Sequence, residues 1–140
     1  QNSRVVYPFK RIEKLRSVPR DEWAIEGFAT LVYHLFPNVS VAVLSKHTSV
    51  TIIEPLSPSR TQMFSYFVKH SANKGVEISL EEAIRDVDFV NQSGQEEDRA
   101  AARDIQETVT TSANSHLTFG YYEKAIVSFH QQLHRELGDA

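Results

Sequence analysis

The chain has 140 residues, of which 41% are hydrophobic and 24% charged, and this length and balance are typical of a single folded domain. A formal net charge of −3 gives no electrostatic reason to expect a nucleic-acid partner, and the absence of cysteine excludes disulfides and cysteine-held zinc or iron–sulfur sites within the chain. No apolar run approaches the roughly 20 residues of a membrane span, and Gln1 opens no signal-peptide pattern, so we expect a soluble, cytoplasmic protein without a membrane partner.

The first 28 residues are mixed in character and carry one clear signal. Pro19, followed by the acids Asp21 and Glu22, is typical of a junction between a loop and a helix. No strand or helix is predicted before this junction.

Four strands are predicted in the next part of the chain, because short β-branched and aromatic runs alternate there with turn signals. The runs occupy residues 29–36, 39–45, 49–56 and 61–68. The turns between them are short enough to join antiparallel neighbours, which predicts a meander sheet. Bulky groups fall on both faces of the strands, so we expect the sheet to be covered on much of both sides.

The pattern changes from strands to a helical period after Gly75. Ser79 and Glu82 have the spacing of a capping box, and Ser93 with Glu96 repeats that spacing beside Gly94, which predicts a break or kink between two helical pieces. A last helix is predicted from about Phe119 to Leu137. Its apolar stripe consists of Tyr122, Ile126, Phe129, Leu133 and Leu137.

Asp98 differs from the other charged residues of the second helical piece. At about 100° per residue it shares a stripe with Ala102, Ile105 and Val109, which we expect to press into a core. A carboxylate in such a place must be paired, protonated or bound to a metal. Periodicity alone favours an aspartate in the first turn of a helix, stabilised by the helix dipole and by an arginine or an amide, and a metal ligand is the alternative.

Several segments carry a resemblance to a known family. They are SRVVYPFKRIEKLR, ATLVYHLFPNVSVAVLS, EPLSPSRTQM, FVNQSGQEEDRAAARDIQ and FGYYEKAIVSFHQQL. Together they resemble the C-terminal half of the catalytic domain in the large (alpha) subunit of Rieske-type ring-hydroxylating oxygenases. The resemblance implies that Asp98 is the carboxylate of a two-histidine, one-carboxylate site for mononuclear Fe(II).

Such a site leaves coordination positions open for dioxygen, and neighbouring groups would orient the carboxylate. The candidates for this second layer are Gln92 and Gln95. Apolar residues near Asp98 either form a pocket wall for an apolar substrate or are plain core, and the candidates are Phe89, Val90, Ala102, Val41 and Val43.

The chain also departs from the family pattern. It has no cysteine for a [2Fe–2S] cluster, and it has no helix with two closely spaced histidines upstream of the sheet. His34, His47 and His70 are scattered, and His47 is expected to be exposed in a turn. His130 and His134 stand four apart on the last helix, and we interpret them as surface or interface residues rather than a metal site. One of the three iron ligands is therefore present, and no catalytic residue is assigned.

These observations predict an α+β fold of helix-grip (Bet v 1-like) type, incomplete, in which residues 1–140 form the C-terminal portion of one catalytic domain. The complete enzyme would hydroxylate an apolar, often aromatic, substrate with dioxygen, an electron-transfer partner and homo-oligomeric (in the family, trimeric) assembly. The [2Fe–2S] domain would lie elsewhere, and the isolated chain is expected to be inactive. The alternative is a non-enzymatic helix-grip module that binds an apolar ligand or serves assembly.

Overall fold

The computed structural model describes residues 2–24, 27–70, 77–113 and 116–138, apart from the side chains of Ser93, Gln95 and Glu96. The described elements are a five-stranded sheet, two short 3-10 helices and two α-helices. This composition confirms the predicted α+β class. Gly75 and its neighbours, where the change from strands to helices was located, lie outside the described residues.

The sheet is an antiparallel meander in which each strand pairs with the next along the chain. Its strands are β1 (Ser3–Pro8), β2 (Ala29–Leu35), β3 (Val39–Val43), β4 (His47–Ser57) and β5 (Arg60–Lys69). The four predicted strands are confirmed as β2 to β5. The edge strand β1 was not predicted, and two 3-10 helices, Lys10–Ser17 and Arg20–Glu22, connect it to β2.

The register of the strands assigns residues to the two faces of the sheet. His34 in β2 pairs with Ser40 in β3, Ser40 pairs with Thr51 in β4, and Thr51 pairs with Ser65 in β5. Because side chains alternate along a strand, every second residue from these positions lies on the same face. Both α-helices contact this face, which we call the helix-covered face.

The first α-helix, α1, spans Leu80–Thr110 without interruption. The predicted capping box is confirmed, since the Glu82 backbone N–H donates to Ser79 Oγ at 3.2 Å and the Ser79 N–H donates to Glu82 Oε2 at 3.1 Å. The predicted break at Gly94 is wrong. An interior glycine costs a helix only about 1 kcal/mol relative to alanine, and the glutamates, arginines and alanines that follow favour the helix.

The second α-helix, α2, spans Lys124–Leu137 and begins five residues later than predicted. Its contact with the sheet is made by Phe129, whose ring lies 5.2 Å from the His34 ring and 5.7 Å from the Phe36 ring between centroids. Tyr122 precedes the helix and is 94% exposed, so its predicted place on the apolar stripe is wrong.

The chain buries little apolar surface. Among the described residues, Ile78 and Ala83 are the buried hydrophobic side chains, and β5 is exposed at nine of its ten residues. The accessible surface of the chain is 11272 Å², whereas a compact monomer of the same 15.9 kDa would expose ~7,400 Å². Coverage of both sides of the sheet, as the sequence predicted, is therefore not found in the described part of the chain.

Candidate functional site

An open cavity of about 410 Å³ lies between the middle of α1 and the strands β4 and β5. The strands contribute Thr51, Met63 and Ser65, all on the helix-covered face. The helix contributes Val90, Asn91, Gly94, Asp98, Arg99 and Ala102. The cavity thus brings one carboxylate, one guanidinium, one amide and two hydroxyl groups around an apolar floor.

Asp98 occupies the middle of the helix side of this cavity. It lies eighteen residues after the start of α1, so the interpretation as a first-turn aspartate stabilised by the helix dipole is wrong. The side chain is exposed, and within the described residues its carboxylate makes no hydrogen bond or ion pair. Its Oδ2 lies over Gly94, where an added Cβ would meet it at 3.8 Å, an ordinary contact distance.

The stripe that was expected to bury Asp98 is exposed as well. Ile105 is 59% and Val109 is 55% exposed, so the prediction that they press into a core is wrong for the described chain. The second half of α1 is exposed from Glu97 to Thr110, including the cavity-lining residues Asp98, Arg99 and Ala102. Asp98 is therefore a solvent-facing carboxylate at the mouth of a cavity.

The other predicted site residues are divided between the two faces of the sheet. Val90 and Ala102 line the cavity with Asp98, as a pocket wall requires. Val41 pairs with Val50, the residue next to Thr51 in β4. Because side chains alternate along a strand, Val41 and Val43 lie on the face of the sheet opposite the helix-covered face. Phe89 is 71% exposed.

The two proposed hydrogen-bond partners of Asp98 are not brought to it by the described residues. Gln92 is exposed and is not part of the cavity lining, and the side chain of Gln95 lies outside the described set. Instead, Asn91 and Arg99 line the cavity beside Asp98. Asn91 lies seven residues before the aspartate, which is a helical spacing, but it was not among the predicted partners. Arg99 follows the aspartate directly and was interpreted with the other surface charges of the helix.

Sequence reasoning also missed the strand hydroxyls of the cavity. Thr51 and Ser65 face each other across β4 and β5 and stand opposite α1. In both strands, small polar residues alternate with large apolar ones, and this alternation was visible in the sequence. It shows that Thr51 and Ser65 face each other only when the register of the β4–β5 hairpin is known. Hydroxyl groups both donate and accept, so this wall can bind a polar substituent of an otherwise apolar ligand.

A second group of contacts fixes the beginning of α1 to the sheet. Lys46 Nζ lies 3.3 Å from Glu82 Oε1, and Lys69 Nζ donates to the Ile78 carbonyl at 2.7 Å. The backbone N–H of Ser79 first, and the Lys46 ammonium second, hold the pKa of Glu82 below its ordinary value, because both stabilise the ionised carboxylate.

His47 is the most buried side chain of this group, with 1% of its surface exposed. Its predicted exposure in a turn is wrong, because it is the first residue of β4 and lies opposite Lys69 under the helix. Nδ1 is 2.8 Å from Asp86 Oδ2, and since a carboxylate oxygen only accepts, Nδ1 donates. Nε2 is buried and has no hydrogen-bond partner in the described structure.

The remaining histidines do not converge on Asp98. His34 stacks edge-on against Phe129, His70 Nε2 lies 3.0 Å from Thr48 Oγ1, and His130 packs beside Phe119 at 5.4 Å. In the described ranges no three histidines, aspartates or glutamates are grouped as metal ligands. These residues supply at most one donor of a two-histidine, one-carboxylate iron site and do not fit a complete one.

A separate hollow of about 520 Å³ lies on the opposite face of the sheet, between β1, β2 and the 3-10 helices. It is lined by Val6, Ile12, Leu15, Trp23, Phe28 and Ala29, with Glu13, Arg16 and Ala24 also at its border. Trp23 is fixed there because its Nε1–H donates to the Val18 carbonyl at 2.9 Å.

Comparison with protein families gives one finding. The family model described as "Ring hydroxylating alpha subunit (catalytic domain)" matches residues 7–139, nearly the whole chain. No curated protein and no solved structure gave a significant match. Within the described residues, no helix combines the length and the apolar character needed to cross a membrane.

Proposed function

The chain belongs to the family of ring-hydroxylating alpha subunits, in the catalytic domain, and from this premise we propose that residues 1–140 form the C-terminal portion of the catalytic domain of a Rieske-type non-haem iron oxygenase. The complete enzyme would hydroxylate an apolar, often aromatic, substrate with dioxygen. Membership of this family supports an oxygenase role, and we propose the roles of individual residues from their positions in the structure.

The observation that carries the proposal is the Asp98 carboxylate, which faces a cavity and makes no bond to another described residue. Because α1 extends on both sides of Asp98, the helix backbone fixes the direction of its Cα–Cβ bond. We propose that Asp98 is the carboxylate ligand of mononuclear Fe(II). Two histidine ligands and the [2Fe–2S] cluster would come from other parts of the complete enzyme, and when bound the iron would activate dioxygen.

The chain's own residues would then bind and orient the substrate. Val90, Met63 and Ala102 offer the apolar wall of the cavity, while Thr51 and Ser65 offer hydroxyl groups on the facing strands. An apolar ring with a polar substituent is the class of molecule that such a lining suits. Arg99 beside Asp98 places a positive charge at the cavity mouth.

The large accessible surface supports the proposal that this is part of a domain. An excess of ~3,900 Å² over a compact monomer of this mass is comparable to a large protein interface. We propose that this surface is covered by the rest of the catalytic domain and by further subunits, in trimers as in the family. A reductase or ferredoxin would serve as the electron-transfer partner of the complete enzyme.

The test is made in the complete oxygenase subunit that contains this chain. Asp98→Asn should abolish stoichiometric iron binding and hydroxylation, whereas the control Asp104→Asn, also exposed on α1, should leave both unchanged. Iron content is measured by elemental analysis and folding by circular dichroism. Normal iron content in a folded Asp98→Asn variant would sink the assignment.

A second candidate function follows from the hollow around Trp23. An apolar cavity of about 520 Å³ in the isolated chain suits a non-enzymatic module that binds an apolar ligand or serves assembly. Trp23 is the single tryptophan, so its fluorescence reports binding there directly. A monomeric chain that binds an apolar dye with an unchanged affinity after Asp98→Asn would favour this module over the oxygenase fragment.

A further inference from the structure

We propose that His47 and Asp86 form a positioning pair that sets the rotation of α1 on the sheet and thereby directs Asp98 into its cavity. The inference rests on the proposed role of Asp98 as the functional carboxylate. Neither residue contacts the cavity itself, so both act through the helix.

His47 and Asp86 form a hydrogen bond that is largely shielded from water. His47 is 1% exposed and the Asp86 side chain 20% exposed, and their 2.8 Å hydrogen bond joins β4 to α1. A charge-assisted bond in such surroundings is short and directional, because little water competes for either group. The ring also lies edge-on to Phe67, with 5.8 Å between centroids.

The other ring nitrogen of His47, Nε2, does not help to orient the ring. This atom is buried and has no hydrogen-bond partner among the described residues, so no second polar contact orients the ring. The direction of the imidazole is therefore set by Asp86 on one side and by packing against Phe67 on the other. Loss of the carboxylate would leave both ring nitrogens buried and unsatisfied.

The other contacts at the start of α1 restrain the helix less than the His47–Asp86 pair does. Lys46 and Glu82 are 42% and 40% exposed, and exposed pairs of long side chains restrain geometry weakly. Lys69 binds the carbonyl of Ile78, which precedes the helix. Within the described structure, His47–Asp86 is the buried polar link between the sheet and the body of α1.

The length of helix between Asp86 and Asp98 links the orientations of the two residues. Asp86 and Asp98 are twelve residues apart, which in an α-helix means about 18 Å along the axis and about 120° around it. Val90 and Gly94 continue the ridge between them at steps of four residues, and both line the cavity. An α-helix resists twisting over a length of three turns. A rotation of α1 about its axis at Asp86 would therefore rotate Asp98 by the same angle and move it away from the cavity.

The experiment uses the chain itself, without iron. The natural sequence has no cysteine, so a single Thr61→Cys substitution, on an exposed edge position of β5, takes one nitroxide label. Paramagnetic relaxation of the α1 amides from residue 97 to residue 110 should then rise and fall with the 3.6-residue period of the helix. The phase of this profile measures the rotation of α1 relative to the sheet.

The variants separate positioning from simple loss of structure. His47→Phe keeps a buried ring and removes the donor, and it should shift or erase the periodic phase while circular dichroism still shows the helix. His47→Asn, which places an amide N–H near the position of Nδ1, should restore the phase, and Asp86→Asn, which keeps an oxygen acceptor, should preserve it. Glu82→Gln, which removes the charge that pairs with Lys46, is the matched control and should leave the phase unchanged.

An unchanged phase in His47→Phe would overturn the proposal, and so would a shifted phase that His47→Asn does not restore. If His47→Phe fails to fold, Asp86→Ala is measured in the same way, and an unchanged phase in that variant would also refute the proposal. Because no iron is present, failure here differs from failure of the proposed function, which is read from the iron content of Asp98→Asn in the complete enzyme.

Discussion

Replacement of Gly94 by alanine tests whether α1 is one continuous helix through the cavity. Gly94 lies fourteen residues after the start of the helix, and it does not have a positive φ. An added Cβ would meet only Asp98 Oδ2 within 4 Å, at 3.8 Å, so the methyl group fits without displacing a neighbour. The substitution should therefore stabilise the chain by the difference in helix propensity, about 0.8–1 kcal/mol.

That gain corresponds to an unfolding equilibrium constant about five times smaller. It is measured as an increase in the midpoint of urea unfolding followed by the helical circular dichroism signal. The matched control is Ala100→Gly, an exposed position of the same helix outside the cavity lining, which should lose a similar amount. The double variant should return to nearly the stability of the wild type, because the two sites do not touch.

Destabilisation by Gly94→Ala would refute the reasoning. It would mean either that the backbone at residue 94 leaves the helical region, as the sequence pattern suggested, or that the added methyl group meets an atom in the cavity. The second explanation predicts that Gly94→Ser is worse than Gly94→Ala, whereas a broken helix predicts that both are similarly destabilised. The comparison of the two variants therefore locates the error.

Two further predictions concern the capping box at the start of α1. Ser79→Ala should lower the free energy of unfolding by about 1 kcal/mol, since it removes the acceptor for the Glu82 backbone N–H, and Ser79→Asp should retain most of it; urea unfolding measures both. Glu82 has a folded pKa below its ordinary value of 4.5, so its contribution to stability is complete above that pH and is lost as the pH falls through the folded pKa. Hydrogen-exchange protection of the first turn of α1 should fall correspondingly in acid, and a Glu82→Gln chain whose first turn shows the same acid dependence would contradict this assignment.

Local sequence signals correctly predicted four of the five strands and the start of α1. The runs of β2 to β5 were visible because β-branched residues and short turns depend on neighbours in the sequence. Ser79 and Glu82 were found for the same reason. Strand β1 carries a similar run in Val5, Val6 and Tyr7, but it pairs with β2 across two intervening 3-10 helices, and pairing at that distance leaves no local trace.

The errors have a common cause, which is that burial depends on contacts between distant parts of the chain. His47 looked like a turn residue, yet Asp86 reaches it from α1, thirty-nine positions later. Ile105 and Val109 follow a helical stripe, but no described element covers them. Helical periodicity shows which side chains share a face, and it does not show whether that face has a partner.

The structure brings only some of the predicted site residues together. Asp98, Val90 and Ala102 lie on one helix face, and the structure places them in one cavity. Val41 and Val43 were assigned to that wall because strands near a helix were expected to contribute to it, but the side on which a strand residue lies depends on register. A shift of one residue exchanges the faces, and the β3–β4 pairing puts Thr51 rather than Val50 towards Asp98.

The excess accessible surface has a calorimetric consequence. An unfolded chain of this mass exposes ~23,000 Å², so folding to 11272 Å² removes from water about three quarters of the area that a compact domain of the same length would remove. The heat-capacity change of unfolding scales with this area and would be ~1.3–1.6 kcal/mol/K rather than the ~1.7–2.1 kcal/mol/K of an ordinary 140-residue domain. We therefore expect the stability curve of the isolated chain to be flatter with temperature. If the rest of an oxygenase subunit covers the exposed face of the sheet and residues 97–110 of α1, as proposed, the heat-capacity change of unfolding should rise towards the value of a compact domain.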